Sequence, residues 1–280
     1  MKVLHFSDLH VWRCEYDWSD PWYPKRWLGF LNLAFHRRKK FPPGLAINVA
    51  RHIASQEADL VIFTGDYTTM SLESEYAEAS ELTRPIREKW KERFIEIPGN
   101  HDRYTPGSSM RYEKWFPDGR IDGVRTWEID DVSVVVGYDA SRPFALRSNG
   151  LLTDELEQKL DSELARQAGK SVVLIGHYPF ANPPEHPEAS HHQLLGEERL
   201  AALVAKHGPV AYLHGHKHVR WQLRSDLAPA TLCLNAGSAG MRSASSNKQA
   251  GYLTFEWEEN EVRNVEFIVP GQKEAGELGE

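Results

Sequence analysis

Nine short apolar runs, rich in β-branched and aromatic side chains and each closed by Gly, Pro, Asn or Asp nearby, recur along the 280 residues. Runs of this length suit strands rather than buried helices, and they predict strands at residues 3–6, 60–64, 94–97, 132–136, 172–175, 210–213, 231–234, 252–255 and 262–268. Between several of them the apolar period becomes helical. Leu45, Val49 and Ile53 are spaced by four, as are Leu156, Leu160 and Leu164 behind Thr153 as an N-cap, while Leu200, Leu203, Val204 and His207 fill a third face. A helix from about Leu72 to Trp90 is expected to break at Pro85, which has no N–H to donate. Helices alternate with strands early and strands with tight turns dominate the last third, so the expected fold class is α/β, layered, with a largely antiparallel C-terminal part. No Gly/Ser-rich linker divides the chain, which predicts a single domain over residues 1–270. Residues 271–280, with three Glu and three Gly, are expected to be a disordered tail.

Composition removes several classes of function. An apolar share of 41% and a charged share of 26% describe an ordinary globular chain. The net charge of −7 advertises no duplex nucleic acid as partner. The longest nearly apolar run, residues 27–35, contains Gly29 and Asn32 and is about half of what a bilayer core requires. Cys14 and Cys233 are too few for a disulfide framework or a thiolate zinc site, which points to a reducing compartment. Asp8 and His10 follow the first apolar run at once and leave no room for a hydrophobic leader, so a cytoplasmic location is expected.

Five segments directly after predicted strands carry side chains suited to a metal: Asp8-Leu9-His10, Gly65-Asp66, Gly99-Asn100-His101-Asp102, Gly176-His177 and Gly215-His216-Lys217-His218. Ligands of open α/β sheets bind outside the carboxyl ends of strands, where side chains from different strands converge. Each segment alone is ordinary turn chemistry, but five in one chain are improbable as independent turns. Carboxylate, imidazole and amide donors without thiolate favour first-row ions such as Mn, Fe or Zn. Seven candidate ligands exceed one tetrahedral ion, whereas two ions, divalent or trivalent, sharing a carboxylate would use them all, an arrangement suited to displacement at phosphorus. His214 and Cys14, which fall near these segments, read as a packed histidine and a buried small residue.

The ordered set D-x-H, GD, GNHD, H and GHxH resembles the calcineurin-like metallophosphoesterases, with all five motifs intact between Met1 and His218. The resemblance implies a four-layer β-sandwich flanked by helices. It implies Asp8, His10, Asp66 and His218 as ligands of one ion, and Asp66, Asn100, His177 and His216 as ligands of the other, with Asp66 bridging. His101 falls on the family's catalytic histidine, with Asp102 as the partner that fixes its ring. The implied activity is hydrolysis of a phosphate ester, in particular a phosphodiester or pyrophosphate bond, by a hydroxide held between two cations. The different-class alternative is a metal-free scaffold on the same fold, which would not need seven intact ligands.

An insert at about residues 11–44 departs from the minimal family pattern. It holds Trp12, Tyr16, Trp18, Trp22, Tyr23, Trp27, Phe30 and Phe35, and six basic residues (Lys25, Arg26, Arg37, Arg38, Lys39, Lys40) against Asp20 between Trp18 and Pro43. Trp27, Phe30, Leu31 and Ala34 are spaced as one face of an amphipathic helix. Two readings stay open: this face packs beside the site as a lid, or it is held open for an acyl chain or peripheral contact with an anionic membrane through residues 18–43. The UDP-diacylglucosamine pyrophosphatases of lipid A synthesis use a similar insert, with Arg where His101 stands here. A lipid-linked pyrophosphate and a cyclic nucleotide are therefore the leading specific substrates.

Overall fold

Strands apolar on both faces must be covered on both sides, and the computed structural model, which describes residues 1–15, 24–33 and 37–271, meets that demand with four layers. The elements in chain order are β1 (Lys2–Phe6), α1 (Pro24–Asn32), α2 (Arg38–Lys40), α3 (Pro43–Ser55), β2 (Leu60–Phe63), α4 (Glu73–Trp90), β3 (Phe94–Glu96), α5 (Ser108–Trp115), β4 (Val124–Glu128), β5 (Ser133–Tyr138) and β6 (Gly150–Leu151). They continue with α6 (Asp154–Arg166), β7 (Ser171–Ile175), β8 (Leu194–Leu195), α7 (Glu197–His207), β9 (Ala211–His214), β10 (Arg220–Leu223), β11 (Leu232–Ala236), β12 (Tyr252–Glu258) and β13 (Glu261–Ile268). The two large sheets have the orders β13-β12-β1-β2-β3 and β10-β11-β9-β7-β5-β4, and β6 pairs with β8 in a small two-stranded sheet.

Alternation along each strand sends residues to two different cores. Val3, Leu60 and Ile62 meet Val173, Ile175 and Leu213 between the sheets. Leu4, Val61 and Phe63 face outward against Val49, Ile53, Tyr76 and Ile86 of α3 and α4. On the far side Val136, Leu174 and Tyr212 pack on Leu156, Leu160, Leu200 and Val204 of α6 and α7. Helix α6 begins where expected, with the Thr153 hydroxyl accepting the Leu156 N–H at 3.1 Å and three acidic residues in its first turn.

Pro85 does not break its helix, contrary to the sequence expectation, because α4 runs unbroken from Glu73 to Trp90. The hydrogen bond that Pro85 cannot donate would end on the carbonyl of Glu81, and both residues face solvent, while Thr83, Ile86 and Trp90 keep the opposite face buried. Cys14 is exposed rather than buried, since the chain leaves the first sheet after Val11 and runs over the surface. The antiparallel pairs β12·β13 and β10·β11 match the expected C-terminal part, although β11 lies parallel to β9. Tyr16, Trp18, Asp20, Trp22, Tyr23, Ala34, Phe35 and the tail at 272–280 lie outside the described residues. Among the described residues no helix is long and apolar enough to cross a membrane.

Candidate metal centre

Strands β1, β2 and β3 run parallel in one sheet, and β7 and β9 run parallel in the other, so their carboxyl ends open on one edge of the sandwich. The first sheet delivers Asp8, His10, Asp66 and Asn100 there, and the second delivers His177, His216 and His218. The loops approach so closely that side chains are excluded between them. A Cβ on Gly99 would collide with Asp66 Oδ1, and one on Gly215 would collide with Ser7 Oγ and Asp8 Oδ2. Among the described residues, nine other than glycine have positive φ, and five of them are Asp8, His10, Asp66, His216 and His218. Left-handed backbone costs an L-residue free energy, and here it is concentrated on the candidate ligands, which is the usual place for strain that serves a site.

The donors form two clusters joined by one carboxylate. Ligand atoms of Asp8, His10, Asp66 and His218 all lie within 4.8 Å of one another. His218 Nε2 is 3.0 Å from Asp8 Oδ1, and His10 Nε2 is 2.8 Å from His218 Nε2. In the second cluster, Asn100 Oδ1 is 3.1 Å from His177 Nε2 and 2.9 Å from His216 Nδ1. Asp66 Oδ2 stands between the clusters, 3.6 Å from His10 Nε2 and 3.4 Å from His177 Nε2.

The outer ring nitrogens meet backbone carbonyls: His10 Nδ1 with Thr68 O at 3.3 Å, His177 Nδ1 with Thr64 O at 2.7 Å and His216 Nε2 with His192 O at 2.9 Å. With those nitrogens donating, the inner nitrogens carry lone pairs that face carboxylate and amide oxygens, and Asp8 Oδ1 is buried with no hydrogen-bond partner. Lone pairs facing lone pairs repel unless a cation stands between them. Donors each about 2.0–2.2 Å from one ion lie roughly 3–3.5 Å from each other, close to the contacts of 2.8–3.6 Å found here. The residues present therefore fit bound metal, with carbonyls orienting the imidazoles from behind.

Electrostatics agree with that fit. Burial pushes the His10 imidazole down to about 4 and His216 well below its usual range, so both are neutral donors at pH 7. Burial opposes a proton on His177, but Asp66 and then Asp8 raise it to about 9, a sign of how strongly this pocket favours positive charge. Burial also raises the Asp8 carboxyl, yet His218 and His10 hold it well below the usual carboxylate range.

Asp102 has a different place from the one expected. Its carboxylate accepts the N–H groups of Asp66 (2.8 Å), Tyr67 (3.1 Å), Thr68 (3.0 Å) and Gly99 (3.0 Å) and the Thr68 hydroxyl (3.1 Å). These five donors fill its acceptor positions, so it clamps the loop carrying Asp66 and does not fix the His101 ring. That ring is held through Nδ1 by the Thr69 carbonyl at 2.5 Å, while the His101 backbone N–H donates to Asp66 Oδ1 at 2.7 Å. Burial, then the charge of Asp66, pushes the Asp102 carboxyl up to about 7 against the pull of its backbone donors.

One residue at the centre was not singled out by sequence: Arg37, whose guanidinium lies 3.0 Å (NH2) from His101 Nε2 and 3.2 Å (NH1) from His101 Nδ1. It sat in a run of four basic residues with nothing to distinguish it. Phe41, which closes the same segment, lays its ring against those of His10 (4.7 Å) and His218 (5.5 Å). Beyond Phe41 a cavity of about 330 Å³ opens between α3 and α4, lined by Trp12, Pro43, Ile47 and Leu82. His214 is a packed histidine, fully buried, beside Asn235 (3.2 Å) and Trp221.

The four-residue stripe of the insert does not act as one face. Leu33 is fully buried and Phe30 partly so, against Met70, Leu72 and Tyr104, whereas Trp27 and Leu31 are 53% and 50% exposed.

The family model described as calcineurin-like phosphoesterase matches residues 1–220. A protein named as a probable glycerophosphodiester phosphodiesterase, from Arcobacter nitrofigilis, is 32% identical over 165 residues, 57% of this chain and 56% of that protein. One named as a probable cyclic nucleotide phosphodiesterase, from Rhodococcus erythropolis, is 29% identical over 160 residues, 57% of this chain and 51% of its own length. The chain thus spans about half the length of the curated relatives it matches. Among solved structures, a dimetal phosphatase from Danio rerio superposes with a TM-score of 0.63 at 11% identity, covering 91% of both chains. A purple acid phosphatase from yellow lupin gives 0.57 at 14% identity, covering 92% of this chain and 49% of that one. At these identities the likeness is one of fold.

Proposed function

The chain belongs to the calcineurin-like phosphoesterase family, and from that premise we propose that it is a dinuclear-metal hydrolase of phosphodiester bonds. Asp8, His10, Asp66 and His218 would hold one ion, and Asp66, Asn100, His177 and His216 would hold the other. The observation that carries this reading is the position of Asp66 Oδ2, 3.6 Å and 3.4 Å from the inward nitrogens of His10 and His177, where one oxygen serves both clusters. When bound, the ions activate water and neutralise charge on the phosphoryl oxygens.

The chain's own groups account for the rest. The Asp102 clamp holds the Asp66 loop, and the Asp66 carboxylate in turn receives the His101 N–H, so central ligand and imidazole move as one unit. Thr69 O holds Nδ1 of His101, leaving Nε2 as the nitrogen that gives a proton to the departing oxygen. Such an acid matters most when an unactivated alkoxide leaves, and what favours diesters over monoesters is that both curated relatives carry phosphodiesterase names. The exposed Trp27 and Leu31, on an insert that also exposes Arg38, Lys39 and Lys40, favour a substrate or surface that is both apolar and anionic, such as a lipid-linked phosphodiester.

The test compares Mn-loaded with chelator-treated protein on bis-p-nitrophenyl phosphate, p-nitrophenyl phosphate, cyclic nucleotides and glycerophosphodiesters. Diester turnover well above monoester turnover, lost with chelator and restored by Mn, is expected. Preference for the monoester, or no turnover by the loaded protein, would contradict the reading.

A further inference from the structure

Resting on the phosphoester reading above, we propose that Arg37 is a phosphate-binding residue, delivered to the metal centre by the insert to grip a non-bridging oxygen of the scissile phosphate beside His101. Its guanidinium is largely enclosed, and it meets the His101 ring at 3.0 and 3.2 Å and the Phe41 ring at 5.6 Å from the centroid. Among the described residues no carboxylate forms an ion pair with it, and Asp66, Glu75 and Asp8 act on its charge without a direct contact. A cation withdrawn from water requires a compensating anion, and one hydrogen bond to a neutral imidazole supplies little. The planar fork of donors fits a tetrahedral phosphate better than it fits an imidazole edge.

Arg37 is also held firmly enough for the task. Its carbonyl accepts the Phe41 N–H at 2.8 Å, and the Phe41 carbonyl accepts Trp12 Nε1–H at 2.6 Å. Upstream, Leu33 and Phe30 pack on Met70, Leu72 and Tyr104, and Tyr104 stacks on His101 with ring centroids 5.6 Å apart. Gly29 permits this approach, since a Cβ there would collide with Tyr104 Oη. Arg38, Lys39 and Lys40 follow in sequence but are exposed, so Arg37 alone of the run turns inward.

Inorganic phosphate, the simplest product, is the probe. Its binding to Mn-loaded protein is measured by titration calorimetry for wild type, Arg37→Ala, Arg37→Lys and, as a control at an exposed arginine outside the site, Arg93→Ala, with metal content and melting temperature taken on the same samples. Arg37→Ala should weaken phosphate binding at least tenfold at unchanged metal content and melting temperature. Arg37→Lys should recover part of the loss, since a point charge replaces the fork, and Arg93→Ala should bind as wild type. Undiminished binding by Arg37→Ala, no binding by wild type, or loss accompanied by loss of metal or fold would each overturn the proposal. Failure of the enzymatic reading is distinguishable, because it appears as absence of phosphoester turnover by wild type whatever its affinity for phosphate.

Discussion

The Asp102 carboxylate accepts the backbone N–H of Asp66 at 2.8 Å, which places the charge next to His101 in sequence beneath the central ligand in space. Asp102→Asn leaves one acceptor oxygen where two served five donors, and a buried group left unsatisfied costs about 1–3 kcal/mol. The variant should therefore lose several kcal/mol of stability and retain less metal, measured by denaturant unfolding and elemental analysis. If Asp102 served only to orient His101, stability and metal content would stay at wild-type levels while kcat fell.

His101→Ala should keep its metals and lose on the order of 10²–10⁴ in kcat on unactivated diesters, the usual worth of a general acid. The loss should shrink on bis-p-nitrophenyl phosphate, whose leaving group hardly needs a proton. Steady-state kinetics on both substrates decide the point, and equal losses would reduce His101 to a phosphate-positioning role.

Glu96 is buried beneath the site, its carboxyl bonded to the Tyr67 hydroxyl, and burial pushes it up from 4.5 to about 7. The folded state thus holds a proton that the unfolded chain releases, so stability is fully present below about pH 4.5 and is lost as pH rises through 7. Glu96→Gln removes this titration. The stability difference between wild type and the variant should change across pH 4.5–8 by about 3 kcal/mol, at 1.36 kcal/mol per pKa unit, with the variant gaining as pH rises. Parallel stability curves for the two proteins would refute the assignment.

The two sides of the segment from Trp27 to Leu33 should respond oppositely to substitution. Leu33→Ala removes a fully buried side chain and should cost about 2–5 kcal/mol. Trp27→Ser with Leu31→Ser should change stability by less than about 0.5 kcal/mol, as exposed sites do, and should selectively reduce binding to anionic vesicles or turnover of lipid-linked diesters. A large fall in melting temperature for the double variant would mean that this side is packed.

What could be read from sequence followed physical visibility. The strand ends bearing Asp8, Asp66, His177 and His216 were legible because two-sided apolar runs stop abruptly, at Gly65, Gly176 and Gly215 for the last three and at Ser7-Asp8 for the first. Strands β4 and β10 were not, since Arg125 and Glu128, and Arg220 and Gln222, dilute their apolar pattern. The ligand set needed the whole five-part signature, because each piece alone is turn chemistry. The role of Asp102 was hidden because adjacent residues send their side chains in different directions. Arg37 was hidden because a basic run looks the same from sequence whether its members face water or the site. Pro85 misled because a missing hydrogen bond is tolerable where the orphaned carbonyl faces solvent.

The central claim is that Asp66 serves two ions at once, and elemental analysis of metal per chain tests it most directly, on Mn-loaded wild type, Asp66→Ala and His216→Ala. The account predicts close to two ions for wild type, close to one for His216→Ala and close to none for Asp66→Ala. Two ions retained by Asp66→Ala, with its fold intact by circular dichroism, would contradict it.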